Sequence, residues 1–338
     1  MNIEISKLKD LTPGEAVRIV TAADPTGEGA WGLYQAAGAG PGSGDDLLSF
    51  YTAITALSSS GLAALTPAGL SLPVMLPVDP LWDIQLSGSG KGYLASAIAG
   101  GAFSFLRVNS FEGETLSSYF SYEIEAVDYP SFVIHSGEGV AKQPYIAAIF
   151  SDNQLGIIGL QAQDGMNVPG VSSLVGSSDK PVSAGRVWGD LSAGLPAKIN
   201  LVYKINRSTG PLAPGGQFCG QLFMASYDTT QDQLGQPVAL LEGLDVAQFD
   251  IAVSAGIVTL FATTGDGSPL LAQFDETGKP AGTPTQPPGS WSNAGRWAGE
   301  PSIIGLPGVP GAFGFAFFEF DGPAPASIQT GMIHPIAP

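Results

Sequence analysis

Three tryptophans in this chain are each followed within three residues by a carboxylate: Trp82 by Asp83, Trp188 by Asp190 and Trp297 by Glu300. Arg186 and Arg296 stand just before the second and third of these, each in an Ala-Gly-Arg context. An indole face can stack on the C–H face of a sugar ring, while a guanidinium and a carboxylate hydrogen-bond its hydroxyls. Trp82, Asp83, Arg186, Trp188, Asp190, Arg296, Trp297 and Glu300 therefore form a candidate ligand-binding set. The competing reading is mechanical. Each tryptophan would fill a gap between packed sheets, and each arginine–carboxylate pair would brace a loop.

A second candidate constellation is catalytic. His135 follows an apolar run, and Asp128 or Glu138 could orient its ring so that it acts as a general base. A lone histidine in a strand is also an ordinary structural residue. The sequence holds two histidines, His135 and His334 in the C-terminal tail, which excludes a multi-histidine metal centre. It has no calcium loop, no Walker A motif and no nucleophile elbow, so neither a metal nor a cofactor is expected. The glycines of Ser87-Gly88-Ser89-Gly90-Lys91-Gly92 imitate a phosphate loop, but a strand-like run, YLASAIAG, follows where a helix N-terminus would be needed. Cys219 is the single cysteine, so no intrachain disulfide can form, and its apolar surroundings predict a buried, inert thiol.

The elements that must position these residues are strands. Charged residues make up 13% of the 338-residue chain, which also holds 46 glycines and 27 prolines, a composition of turns and short strands. Hydrophobic residues, at 44%, suffice for a large core and argue against disorder. The net charge of −17 excludes nucleic acid and anionic membrane surfaces as main partners. No uninterrupted apolar run reaches membrane-spanning length. The N-terminus MNIEISKLKDL lacks a secretory signal's apolar stretch, which predicts a chain that is not exported by that route or one whose signal has been removed; compartment stays open.

The clearest pattern runs from Asp250 to Gln286. DIAVS turns at Ala255-Gly256 into IVTLFATT, which turns at Thr264-Gly265-Asp266-Gly267 into PLLAQFD. Glu276-Thr277-Gly278 then leads to a short outer strand, GTPTQ. Strands able to begin such a four-stranded unit recur near Ile19, Ile84, Val133, Leu201, Ile251 and Ile303, roughly 50 to 65 residues apart. A turn recurs with them: Phe274-Asp275 before Gly278-Lys279-Pro280, Tyr227-Asp228 before Gly235-Gln236-Pro237, and Phe320-Asp321 before Gly322-Pro323. An aromatic ends the third strand, Asp starts the turn, and Gly then Pro open the outer strand. DLLSFYTAITAL is the best helix candidate, but its β-branched and aromatic residues favour a strand.

These repeats resemble the β-propeller superfold over nearly the whole chain, without the repeat signatures of its WD40, kelch, sialidase or four-histidine carotenoid-cleaving families. The resemblance implies an all-β chain forming a single β-propeller of about six blades. The blades would run roughly over 15–76, 81–128, 130–178, 198–242, 248–287 and 300–338. Residues 2–7 would add the last strand and close the ring. The tryptophan–acid pairs would then sit where first strands begin, and His135 would face the axis. The leading expectation is a non-catalytic recognition module for a carbohydrate or another small polar ligand. The alternatives are a hydrolase, lyase or cyclase with an axial pocket around His135, and a structural protein of a virion or injection system. A protein partner fits the first and last of these.

Overall fold

The computed structural model describes strand backbone along the whole chain. It describes loops and side chains chiefly over residues 180–188, 198–287, 296–305 and 310–334. The chain opens with β1 (Ile3–Leu11), followed by β2 (Ala16–Ala23), β3 (Gly29–Ala37) and β4 (Leu47–Thr55). A two-residue ladder of β5 (Leu57–Ser58) and β6 (Gly61–Leu62) precedes β7 (Thr66–Pro73), and the sheet order is β2-β3-β4-β7. Next come β8 (Leu81–Gly88), β9 (Lys91–Gly100), β10 (Phe103–Glu112) and β11 (Thr115–Ile124), paired in sequence. So are β12 (Val127–Val133), β13 (Tyr145–Phe150), β14 (Leu155–Gly159) and β15 (Val171–Val175).

The second half follows the same plan. β16 (Val182–Trp188), β17 (Lys198–Asn206) and β18 (Gly220–Asp228) pair in order, with short β19 (Gln233–Leu234) and β20 (Val238–Leu240) along β18. β21 (Val246–Ser254), β22 (Ile257–Thr264) and β23 (Pro269–Asp275) form a meander. β24 (Arg296–Gly305), β25 (Phe313–Asp321) and β26 (Ala324–Pro335) complete the list. β1 pairs antiparallel with β26, placing Ile5 opposite Ile333. Among the described residues the only helical piece is a 3₁₀ turn over Pro214–Gly216. No described helix is long and apolar enough to cross a membrane.

The strands group into two compact units. Unit 1 holds residues 1–75, 211–219 and 244–338, and unit 2 holds 76–210 and 220–243. In unit 1 the first strands β21, β24 and β2 lie side by side; in unit 2, β8, β12 and β16 do. A strand flanked by sheets on both faces must bury both faces, and β22 does so at every residue but its two ends. The core of unit 1 joins Phe261 and Leu271 to Ala298, Ile303, Phe313, Phe315, Phe317 and Ile333. Its rings meet edge-on or tilted, with Phe261 centred 5.2 Å from Phe315 and 5.5 Å from Phe317. In unit 2, Leu155, Val182, Val187, Ile199, Leu201, Tyr203, Ala225 and Tyr227 form the matching core. Burial there pushes the Tyr203 hydroxyl up to about 12.

The turns show why these strands stop where they do. Ser254 pairs with Ile257, so Ala255 and Gly256 make a two-residue hairpin, with φ of 52° and 74° as a type I′ turn requires. Asp275 closes the turn after β23 by accepting from the Thr277 and Lys279 amides, 2.9 and 3.0 Å away, and from the Thr277 hydroxyl. Asp228 does the same towards Thr230 and Gln231. These hydrogen bonds, from the threonine hydroxyl above all, hold both carboxyls below the usual 3.8.

Several expectations need correction. GTPTQ is not a continuous outer strand, because that segment touches β23 only at the Phe274–Pro280 and Leu271–Thr285 bridges. The two bridges lie three residues apart on β23 but five apart on the outer segment, so the outer chain bulges away between them. The stretch between the expected third and fourth blades contains β16, so KINLVYKI is the second strand of its sheet and not the first. Gly185 and its small neighbours hide the alternation there. A Cβ at Gly185 would lie 2.9 Å from Leu155 Cδ1, so a larger residue would push that side chain aside. GQFCGQLFMASYD is one strand preceded by a loop, leaving Phe218 59% exposed and Cys219 half-buried instead of sealed in a core. Phe320 ends a second strand, and Gly322-Pro323 is itself the turn, since Asp321 pairs with Ala324. His334 belongs to β26 opposite Glu4 and not to a tail. DLLSFYTAITAL does form a strand, β4, and YLASAIAG lies in β9.

Candidate functional site

The best-defined candidate site lies at the end of unit 1 where β24 begins. Trp297, the second residue of β24, pairs across the sheet with Phe320. Their rings stack in parallel, centroids 3.8 Å apart and planes 3° apart. The indole N–H donates to the Gly322 carbonyl at 3.2 Å, tying the ring to the β25–β26 turn. Two glycines let other segments close on the indole: a Cβ at Gly215 would sit 2.7 Å from Trp297 Cη2, and one at Gly267 2.5 Å from Trp297 Cβ. Trp297 nevertheless stays half-buried. Elsewhere in the same unit Phe218, Leu212 and Leu244 are exposed at 59%, 50% and 39%.

On the opposite face of the same strands runs a polar chain. Arg296, with 53% of its side chain exposed, bridges Glu319 at 3.1 Å. The second Glu319 oxygen accepts from the Ser327 hydroxyl at 2.9 Å and from Gln329 Nε2 at 2.8 Å. These residues share one sheet face because Glu319 pairs with both Ala298 and Ser327 on neighbouring strands. Arg296 is thus matched with Glu319 and not, as its spacing suggested, with Glu300. The Glu300 carboxylate accepts from Gln248 Nε2, and the Gln248 carbonyl accepts from the Glu300 amide, both at 3.0 Å. This clamp holds Glu300 at φ 48°, in the register shift between Gly299 and Ser302. Glu300 therefore works as a brace between β21 and β24. Nearby, the Asp250 carboxylate accepts from the Ile303 amide at 3.0 Å and the Ser302 hydroxyl at 3.3 Å.

The other candidates are placed less fully. Trp82 and Asp83 are the second and third residues of β8, at a first-strand start as expected. Trp188 is instead the last residue of β16, so it occupies the opposite end of its strand from the one the repeat pattern implied. Its indole N–H is buried and meets no acceptor among the described residues. Arg186 Nη1 donates to the Gly185 carbonyl at 3.0 Å. Asp128 falls in β12, while His135, Glu138 and Asp190 lie outside the described residues. Among the described residues no group of three or more His, Cys, Asp or Glu is placed to hold a metal ion.

No known family matches the sequence, and no curated protein matches it either. The likeness is structural. A protein of unknown function from Dyadobacter fermentans superposes with a TM-score of 0.62 at 12% identity, over 98% of this chain and 99% of that one. A subtype N10 neuraminidase-like protein of A/little yellow-shouldered bat/Guatemala gives 0.56 at 12% identity, over 99% and 98%. A triple arginine-to-alanine mutant of AofleA from Arthrobotrys oligospora gives 0.55 at 11% identity, over 94% and 83%. The chain has a β-propeller fold. At such identities the likeness reaches no further than fold, and the propeller's chemistry has to be argued from its own side chains.

Sequence reasoning singled out Arg296, Trp297 and Glu300 but missed Phe320, Glu319, Ser327, Gln329 and Gln248. The usable signal was alternation in β25: Glu319 interrupts the apolar run FGFAFFEF, and a carboxylate there demands a partner from a neighbouring strand.

Proposed function

We propose that the chain is a single propeller of six blades, whose first strands are β2, β8, β12, β16, β21 and β24, with β1 closing the last blade. We propose further that it is a non-catalytic recognition module for a carbohydrate or similar polar ligand, bound at the Trp297 end of β24. One observation carries this reading: a tryptophan–phenylalanine stack at the start of β24 is only half-buried, so part of the indole meets solvent. A partly exposed aromatic ring suits a ligand with one apolar face.

The test is a titration of glycans against the wild type and Trp297→Ala, each checked for folding by thermal melt. The substitution should weaken binding by about 1–3 kcal/mol, the range for losing an aromatic anchor. Undiminished affinity in a folded Trp297→Ala variant would remove this site from consideration.

A further inference from the structure

The turn between β25 and β26 leaves an aspartate–glycine step whose reacting groups are free. The sequence has three such steps, Asp164-Gly165, Asp266-Gly267 and Asp321-Gly322, and the first lies outside the described residues. A glycine carries no side chain to shield its amide, so that nitrogen can reach the carboxyl of the aspartate before it. The two described steps differ in how far this is allowed. In the β22–β23 turn the Asp266 carboxylate accepts from the Thr264 hydroxyl and from the Ser268 amide at 3.0 Å. The Gly267 amide is spent on the Thr264 carbonyl at 2.8 Å, and Gly267 is buried. The Thr264 bond above all holds the Asp266 carboxyl below its usual range, which keeps it ionised. Asp321, Gly322 and Pro323 are all exposed, and no described residue bonds the Asp321 carboxylate or the Gly322 amide. Gly322 sits at φ 72° with open space where a Cβ would be. The ladder leading into this turn is also irregular, with a register shift between Glu319 and Phe320.

We propose that Asp321-Gly322 is a site of spontaneous isoaspartate formation and that Asp266-Gly267 is protected from it. The Gly322 nitrogen attacks Asp321 Cγ of the protonated carboxyl. A C–N bond forms, the C–OH bond breaks, and the hydroxyl leaves with the amide proton as water. Water then adds back to the cyclic imide. Opening at Cγ restores aspartate, while opening at the main-chain carbonyl leaves the chain running through Cβ and Cγ. The product has the mass of the parent and one more carbon in its main chain. The Gly322 carbonyl that accepts from the Trp297 indole at 3.2 Å lies directly after that insertion, so the modification reaches Trp297. This reactivity does not depend on what the Trp297 site binds.

The experiment ages the full chain at mildly acidic pH and body temperature, with two synthetic peptides spanning 316–326 and 261–271 as unfolded references. Peptide mapping with electron-transfer fragmentation locates isoaspartate, and enzymatic methylation of isoaspartyl carboxylates counts it. Isoaspartate should accumulate at 321 close to the rate in its peptide. At 266 it should form at least about tenfold more slowly than in its peptide, the factor that one hydrogen bond lost on opening the turn supplies. Asp321→Glu should fold normally, because the position is exposed, and should give no product at 321, because the six-membered imide closes far more slowly. Equal rates at 321 and 266 in the folded chain, or no product at 321 while its peptide reacts, would overturn the assignment. So would a signal that persists undiminished in Asp321→Glu.

Discussion

At the scale of single residues, polar side chains in this protein mostly serve to end strands and lock sheets. Asp228, Asp266 and Asp275 each accept from a threonine hydroxyl and at least one backbone amide, and each carboxyl is held below its ordinary 3.8. Because the folded values are depressed, their stabilisation is complete above that ordinary value and disappears as pH falls through the folded ones. The melting temperature should therefore fall on acidification from about pH 5 to about pH 2. Asp275→Asn keeps an acceptor oxygen for the turn but cannot titrate, so its melting temperature should fall less steeply over that window. A pH series of thermal melts checks this, and an Asp275→Asn profile parallel to the wild type would refute the assignment. The Gln248–Glu300 pair shows the same economy, since one amide and one carboxylate satisfy each other and fix a left-handed backbone residue.

At the scale of elements, the segment Pro211–Cys219 is the piece that shapes the candidate site. Its 3₁₀ turn closes through the Gly216 amide and the Ala213 carbonyl at 3.0 Å, and Ala213 N–H reaches Gln217 O at 2.9 Å. Gly215 lies at φ 81° with Trp297 against the position a Cβ would take. Gly215→Ala meets both the left-handed penalty and the indole, and should destabilise unit 1 by about 1–3 kcal/mol. Denaturant unfolding measures that loss. Tryptophan emission should shift with it if the indole is displaced. A variant as stable as the wild type would mean that the segment does not rest on Trp297. The ragged edge of β23 belongs to this scale too. Pro280 and Pro284 turn their nitrogens away from β23, which makes the outer segment a poor template for edge-to-edge pairing.

For the whole molecule, the pairing of β1 with β26 brings residues from the two ends of the chain into one sheet. Removing residues 1–11 would strip β26 of its neighbour and leave a twelve-residue strand with an open edge. The truncated chain should melt well below the intact protein and aggregate on refolding, as scanning calorimetry and light scattering would show. Unchanged melting would argue against closure by β1. The net charge of −17 works against that aggregation in the intact protein, and a truncated chain should lose solubility faster at high salt, where repulsion is screened.

How much of this was legible in the sequence depended on the range of the interaction. Local chemistry was readable: IVTLFATT and PLLAQFD are β22 and β23 to the residue, and Ala255-Gly256 and Asp275 make the turns their types implied. Backbone preference and period-two burial act over a few residues, so a few residues suffice to reveal them. β16 was missed because Gly185 breaks its alternation where Leu155, a residue about thirty positions earlier in another strand, packs against it. Arg296 was assigned to the wrong carboxylate for the same reason. Glu300 is nearer along the chain, but strand register carries Glu319 to it and turns Glu300 to Gln248. Composition and alternation thus determined an all-β chain of repeated meanders with acidic surfaces. Which tryptophan gained a stacking partner, and which charge its neutraliser, was decided by register between strands tens of residues apart, which only the folded sheets set.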